Sequence, residues 1–314
     1  MREKCAAIVV TYNGKKEWYD KCFQSLLSSS VPLEIIVVDN KSTDDTVAYI
    51  TNKFPQVRLI QNNENFGFAG ANNIGFNAAL NNDNDCFFLL NQDAWVERHT
   101  VETLMLIAEK NKDFGILSPI HLTADKKSFD RGFRHSFNIC SDTISAYENL
   151  YLNKQPHLYE TREVAAAAWL ITKKCIETVG GFDTILFKHY GEDNNYCHRV
   201  RFHRLKIGIV PSVTMCHDRE YRAEKPFDIK IICAIVWGDI LMKKGMYLRR
   251  FFVILMKIIL MKRGKGGIQE LVFVAKNRRK IVKSRKTNKI KGGGLEHIKI
   301  TEKSKDRRIK NEII

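Results

Sequence analysis

Short apolar runs, each closed by a polar cluster and followed by a stretch of helical spacing, constrain this chain more than any other feature. Residues 6–10, 34–38, 57–61 and 86–90 read as buried strands, and 18–28, 42–52 and 69–80 between them read as helices. Such alternation predicts an α/β fold, a mostly parallel sheet covered by helices. Ser42 is the expected N-cap of the second helix, with Asp44 and Asp45 in its first turn. Thr11-Tyr12-Asn13, Asp39-Asn40 and Asn91-Gln92-Asp93 each follow directly on the end of an expected strand. Ligands of open α/β sheets bind in the crevice beyond the carboxyl ends of the strands, so the clusters converge on one candidate site, or are ordinary polar turns.

Past the fourth strand the reading thins. Residues 118–157 are polar and aromatic-rich without clear periodicity, include Asp130-Arg131-Gly132-Phe133, and suggest an acceptor-side loop or hairpin. The run 164–171 is apolar, Gly180-Gly181 signals a turn, a helix is expected from Glu192-Asp193 to Arg204, and 207–210 and 212–217 read as two strands.

Charge is unevenly spread. The net charge is +16, yet residues 241–314 hold 23 Lys/Arg against 5 Asp/Glu, whereas residues 1–240 hold 28 against 30. A basic terminus on a near-neutral domain points to an anionic partner surface, either lipid headgroups or nucleic acid. The apolar helical stretches 229–242 and 248–261 are too short to span a bilayer, so they either lie in its plane or pack on the domain. From Lys276 onward, with many lysines and Gly292-Gly293-Gly294, a weakly structured tail is expected. The expected organisation is therefore a catalytic domain over 1–225, an amphipathic helical extension over 226–275 and a basic tail over 276–314. The eight cysteines show no CxxC pair and read as reduced core thiols, and the first residues do not read as a signal peptide, which suits a cytoplasmic chain.

Five motifs in order carry a resemblance. They are Ile8-Val9-Val10-Thr11-Tyr12-Asn13, Val37-Val38-Asp39-Asn40-Lys41-Ser42-Thr43-Asp44, Asn65-Phe66-Gly67-Phe68-Ala69-Gly70-Ala71-Asn72-Asn73, Leu89-Leu90-Asn91-Gln92-Asp93, and Tyr190-Gly191-Glu192-Asp193 with His217 downstream. With them, residues 5–220 resemble the family 2 glycosyltransferases, in particular the rhamnosyltransferase-like branch of bacterial surface polysaccharide synthesis. The resemblance implies a GT-A type domain that binds a nucleotide-diphosphate sugar, UDP- or dTDP-linked, a divalent metal (Mg²⁺ or Mn²⁺), and inverting transfer to a saccharide acceptor.

It also implies roles. Asp39 would accept hydrogen bonds from the nucleoside, with Thr11, Tyr12 and Asn13 around the base. Asn65, Gly67 and Asn72 belong to the segment whose glycines admit a ligand close to the backbone ahead of a helix, where the amides favour an anion. Asp93 would hold the metal, Asn91 standing where the family often has a second carboxylate. His217 would contact metal or diphosphate, or is a satisfied buried histidine. Asp193 would be the base that takes the acceptor proton and Glu192 would orient the acceptor; the bland alternative is that both acids only favour a helix N-terminus. Trp169 would wall the acceptor site or sit in the core.

The lack of GxGxxG after the first strand argues against a nicotinamide enzyme, and the lack of a Gly-rich basic loop there argues against a nucleotidyltransferase. The tail has no aromatics interleaved with its charge, so no nucleic acid is expected. A non-catalytic relative, in which Asn91 marks a lost acid, stays open. The acceptor is expected to be lipid-linked, and the protein to be peripheral on the inner face of the cell membrane.

Overall fold

A computed structural model of the chain describes residues 4–138, 148–149, 152, 154, 157–187, 190–219, 228–260 and 265–299. The strands β1 (Cys5–Thr11), β2 (Leu33–Asp39), β3 (Arg58–Gln61) and β4 (Cys86–Asn91) alternate with the helices α1 (Lys16–Leu27), α2 (Thr46–Lys53) and α3 (Gly67–Leu80). They run parallel in the order β3-β2-β1-β4. The chain thus steps outward from β1 to β3 and then returns to β1's other side. That reversal parts the connections on either side of β1 and opens a crevice beyond the carboxyl ends of β1 and β4.

The rest of the sheet is mixed. It uses β5 (Ala94–Val96), β6 (Phe114–Thr123), β7 (Tyr159–Thr161), β8 (Ala168–Thr172) and β9 (Lys206–His217), with α4 (Thr100–Lys110), α5 (Arg131–Asn138), α6 (Lys173–Val179) and α7 (Glu192–Phe202) in the connections. β8 lies antiparallel between β4 and β6, β6 pairs parallel with β9, and β5 and β7 pair antiparallel with β9.

Successive residues of the central strands feed two cores, because strand side chains alternate between faces. Ala6 and Ile8, Ile36 and Val38, and Phe87 and Leu89 pack on one face with α3, Trp169, Phe182 and Tyr196. Ala7 and Val9, Ile35 and Val37, and Phe88 and Leu90 pack on the other with Tyr19, Phe23 and Leu26 of α1 and Leu104 of α4. Burial on both faces is why these strands read as continuous apolar runs. Each fully buried side chain such as Phe87 or Phe88 contributes roughly 1.5–3 kcal/mol.

The structure corrects several expectations. The second helix begins at Thr46 rather than Ser42, because the Ser42 hydroxyl bonds back to Asp39 at 2.5 Å and holds residues 40–45 in a loop. The segments 207–210 and 212–217 form one strand, with a bulge past Pro211 where the pairing jumps from Pro119–Val210 to Ile120–Thr214. The region from Ser118 contains the end of β6 and the short helix α5, while residues 139–147, including Cys140, lie outside the described part. The other seven cysteines are buried free thiols, as read from their spacing.

Three helices follow, α8 (Ile229–Gly238), α9 (Lys244–Leu260) and α10 (Lys265–Lys289). Cys233, Trp237, Ile254 and Ile281 form a small core between them. The expected weak structure from Lys276 onward is not what the described residues show. They continue in α10, and the segment after it buries His297 and Ile298; residues 300–314 lie outside the described part. No described helix is long and apolar enough to cross a membrane.

Candidate active site

The loops after β1 and β2 are clipped together by their own side chains. Asp39 accepts from the Thr11 hydroxyl at 3.2 Å, from the Ser42 hydroxyl at 2.5 Å and from the Ser42 amide at 2.9 Å. Asn13, at φ 44°, accepts from the Thr43 amide at 2.8 Å while its own amide N–H donates to the Ser42 hydroxyl at 3.1 Å. Asn40 then links this pair of loops to the third motif. Its side-chain amide donates to Asn65 at 2.9 Å and to the Gly67 carbonyl at 3.2 Å, and its oxygen accepts from the Phe66 amide at 2.9 Å. Gly67 sits at φ 72°, where a side chain is disfavoured, so the chain turns sharply into α3 there. A cavity of about 640 Å³ lies beyond these strand ends, and Tyr12, Asn13, Asn65, Gly67, Asn91 and Asp93 all line it.

Two acidic groupings reach the same cavity. In the first, the β4–β5 turn brings buried Asp93 to 3.3 Å from His217 Nε2, at the end of β9. His217 Nδ1 faces Asp130 at 3.5 Å, and Asp130 also accepts from Arg219 Nε at 2.9 Å. Burial opposes an imidazolium, but Asp130 and Asp93 outweigh it and hold the His217 pKa above its ordinary value. Burial likewise opposes ionisation of Asp130, and His217 and Arg219 more than offset this, keeping it well below the usual carboxylate range. In the second grouping, Glu192 and Asp193 open α7 directly after Gly191, whose φ of 86° turns the chain into the helix. Burial, and then the neighbouring Asp193 charge, push the Glu192 pKa up. Burial also raises that of Asp193; the Asn194 amide partly offsets this and Glu163 adds to it.

The sequence profile of the family described as Glycosyl transferase family 2 matches residues 6–174, more than half of the chain. The chain belongs to glycosyl transferase family 2. It is 23% identical over 218 residues to the dTDP-rhamnosyl transferase RfbF of Shigella flexneri, covering 69% of this chain and 70% of that one. It is 22% identical over 220 residues to the low-salt glycan biosynthesis hexosyltransferase Agl10 of Haloferax volcanii, covering 70% and 68%. Among solved structures it superposes on GalNAc-T7, crystallised with UDP, GalNAc and Mn²⁺, with a TM-score of 0.59 at 13% identity, covering 88% of this chain and 55% of that one. The fold is thus the GT-A arrangement the resemblance implied, and the chain is a glycosyltransferase.

Not every residue expected in the glycosyltransferase's site reaches the cavity. Trp169 is 0% exposed, stacked against Phe182 at 6.2 Å between ring centres, so it is a core residue of β8 and not an acceptor wall. Asn72 is buried within α3 and donates to the Phe68 carbonyl one turn back. Thr11 and Asp39 are buried as well, their oxygens committed to the loop clip, so they shape the β1–β2 side of the cavity without lining it. Tyr12, Asn13, Asn65, Gly67, Asn91, Asp93, Glu192, Asp193 and His217 are brought together. Asn40, of the Asp39-Asn40 cluster, lines the cavity as that cluster suggested, whereas sequence reading passed over Trp18 and Arg219, which also line it, and Glu163, which binds Asn194 beside it. Arg219 could have been suspected from its place two residues past His217, but Trp18 had no local signal.

Among the described residues no group of three or more His, Cys, Asp or Glu is arranged to hold a metal ion. Asp93 and His217, 3.3 Å apart, are nevertheless the side chains that would hold a small divalent cation here, which would supply positive charge toward substrate phosphates. Asn91, whose side-chain amide nitrogen lies 3.4 Å from His217 Nε2, adds no charge. The negative surroundings that favour an imidazolium at His217 also favour such a cation, and Asp130 stands where a second carboxylate orients a metal-ligating imidazole. A larger cavity of about 870 Å³, lined by Lys4, Glu34, Asn84, Glu102 and Leu106, opens where β1 and β2 begin. It shares none of the residues that line the site and lies at the opposite ends of the strands from the crevice.

Proposed function

We propose that this glycosyltransferase moves a sugar from a UDP- or dTDP-linked donor to a hydroxyl of a saccharide acceptor, with inversion at the anomeric carbon. The observation that carries this reading is that one cavity is lined both by Asp93 and His217 and by Glu192 and Asp193. A leaving nucleoside diphosphate needs positive charge, and an attacking hydroxyl needs a base. The pyrophosphate sits against the first turn of α3, where Gly67 and Phe68 line the cavity and the helix N-terminus favours an anion, with Arg219 at the same cavity as a cationic partner. A divalent cation, when bound by Asp93 and His217, supplies electrostatic stabilisation of the departing diphosphate.

Asp193 takes the proton of the acceptor hydroxyl as its oxygen forms a bond to the anomeric carbon. The bond from that carbon to the phosphate oxygen breaks, and its electron pair leaves with the diphosphate. Glu192, whose raised pKa favours the neutral acid, donates a hydrogen bond that orients the acceptor.

The test is turnover of a panel of UDP-, dTDP- and GDP-sugars with Mn²⁺ or Mg²⁺ and a saccharide acceptor extract. One nucleotide sugar should be consumed, and Asp93→Ala should lower its turnover about 100-fold or more. Absence of turnover with every donor in the unaltered chain would leave a non-catalytic relative.

The acceptor is proposed to be lipid-linked and the protein peripheral on the inner face of the cell membrane, serving cell-surface polysaccharide synthesis. Support comes from α9, where Met246, Leu248, Phe251, Phe252, Val253 and Met256 are exposed on a helix that also carries Arg249 and Arg250. Such a surface suits in-plane contact with anionic lipid. Flotation with phosphatidylglycerol vesicles should recover the unaltered chain but not a Phe251→Ser, Phe252→Ser chain; equal recovery of both would refute this part.

A further inference from the structure

The loop that ends at the acid pair is held from both sides by residues distant in sequence. It leaves α6 at Gly180 and enters α7 at Glu192. Asp183 shapes its first turn by accepting from the amides of Ile185 at 2.9 Å and Leu186 at 3.3 Å. Its other oxygen points into the C-terminal helix, accepting from the Ser284 hydroxyl at 2.5 Å and the Asn288 amide at 2.8 Å. Asn288 in turn is 2.8 Å from His297 Nε2 through its carbonyl oxygen. All four side chains are buried.

Neighbouring contacts run to the same few residues. Phe182 is fixed through its backbone by Asn73 of α3, which accepts from its amide at 2.7 Å and donates to its carbonyl at 2.9 Å. The Gly181 amide donates to the Gly294 carbonyl at 3.1 Å, and Arg199 of α7 donates to the Gly181 carbonyl at 2.7 Å. Ile235 of α8 stands against Gly191, close enough that a Cβ there would come within 2.7 Å of it. The residue before the acid pair is therefore backed by one C-terminal helix, and the start of its loop is tied to another.

Resting on the transferase reading above, we propose that Ser284 and Asn288 are positioning residues for Glu192 and Asp193, acting through Asp183. Apolar packing alone would hold α10 against the domain without selecting one setting of the loop. Directional bonds to a buried carboxylate select one, since leaving that charge unpaired is costly. The catalytic carboxylate must stand within hydrogen-bonding reach of the acceptor, and a shift of about 1 Å in such a group can lower turnover about 100-fold. Donor binding draws on the β1, β2 and α3 loops instead, so the two functions should separate.

The experiment compares full-length Ser284→Ala and Asn288→Ala chains with the unaltered one by amide hydrogen exchange, by titration with UDP and dTDP, and by steady-state transfer. Amides of residues 182–187 and 191–193 should lose protection while those of β1, β2 and β4 keep it. Affinity for the nucleotide should stay within about twofold while kcat falls about 10- to 100-fold, and Ser284→Thr, which retains the hydroxyl, should recover most of it. Unchanged exchange in the loop, loss of protection across the whole sheet, or affinity falling in step with kcat would each overturn the proposal. Should Asn288→Ala fail to fold, Ser284→Ala, which removes a single hydroxyl, decides alone. If the unaltered chain transfers no sugar, the transferase reading fails by itself, and the exchange measurement still decides whether these residues set the loop.

Discussion

In the proposed mechanism Asp193 and Glu192 are adjacent acids with different tasks, and burial raises the pKa of both. Burial and its neighbour's charge favour the neutral acid at Glu192, as the proposed hydrogen-bond donor requires, while Asp193 must lose its proton to act as the proposed base. Because burial and Glu163 raise the Asp193 pKa, activity should fall with decreasing pH at a higher pH than for an ordinary aspartate. Glu163→Gln removes a negative charge that disfavours ionisation, so the acid limb of kcat should move to lower pH. A pH–rate profile of the two chains checks this, and a limb that moves upward contradicts it. At Trp169 the expectation is one of stability. Trp169→Ala should cost about 3–5 kcal/mol in denaturant unfolding, whereas Trp169→Phe should leave the acceptor KM unchanged. A raised KM in the phenylalanine chain would return Trp169 to the acceptor site.

At the scale of elements, the turn into α3 depends on one residue. Gly67 has φ 72°, and a side chain there costs about 1–2 kcal/mol, so Gly67→Ala should lower the melting temperature and weaken nucleotide binding together. Calorimetry and thermal unfolding of the same sample report both. The same scale shows what was legible in the sequence. β1, β2 and β4 are buried on both faces and therefore stand out as apolar runs, and the residues at their ends fall where the crevice opens. The start of α2 was misread because Ser42 has the chemistry of a cap, while its actual partner, Asp39, lies three residues back. Local reading placed Trp169 before the acid motif without saying which face of β8 it occupies; the pairing of Leu89 with Trp169 decides that. Ser284 and Asn288 were hidden by the lysines around them, since two small polar residues four apart look like solvated surface until Asp183 is brought opposite.

For the whole molecule, the division into a neutral catalytic domain and a basic appendage describes charge better than it describes structure. The excess of Lys and Arg lies in a segment whose helices pack on one another through Trp237, Ile254 and Ile281, and whose end buries His297 and sets Ile298 into the domain's core. A chain cut before α8 should therefore lose stability as well as any lipid contact, and its unfolding midpoint should fall well below that of the full chain. An unchanged midpoint would mean that the C-terminal helices are dispensable to the fold.

The central claim is that Asp193 performs the proton transfer in a site whose donor side is built independently of it. It is tested most directly by measuring, on one preparation of Asp193→Asn, both the affinity for the donor nucleotide and the rate of sugar transfer. The account predicts affinity within about twofold of the unaltered chain and a kcat lower by about 100-fold to 10,000-fold. Transfer at close to the normal rate, or loss of nucleotide binding in proportion to the loss of transfer, would contradict it.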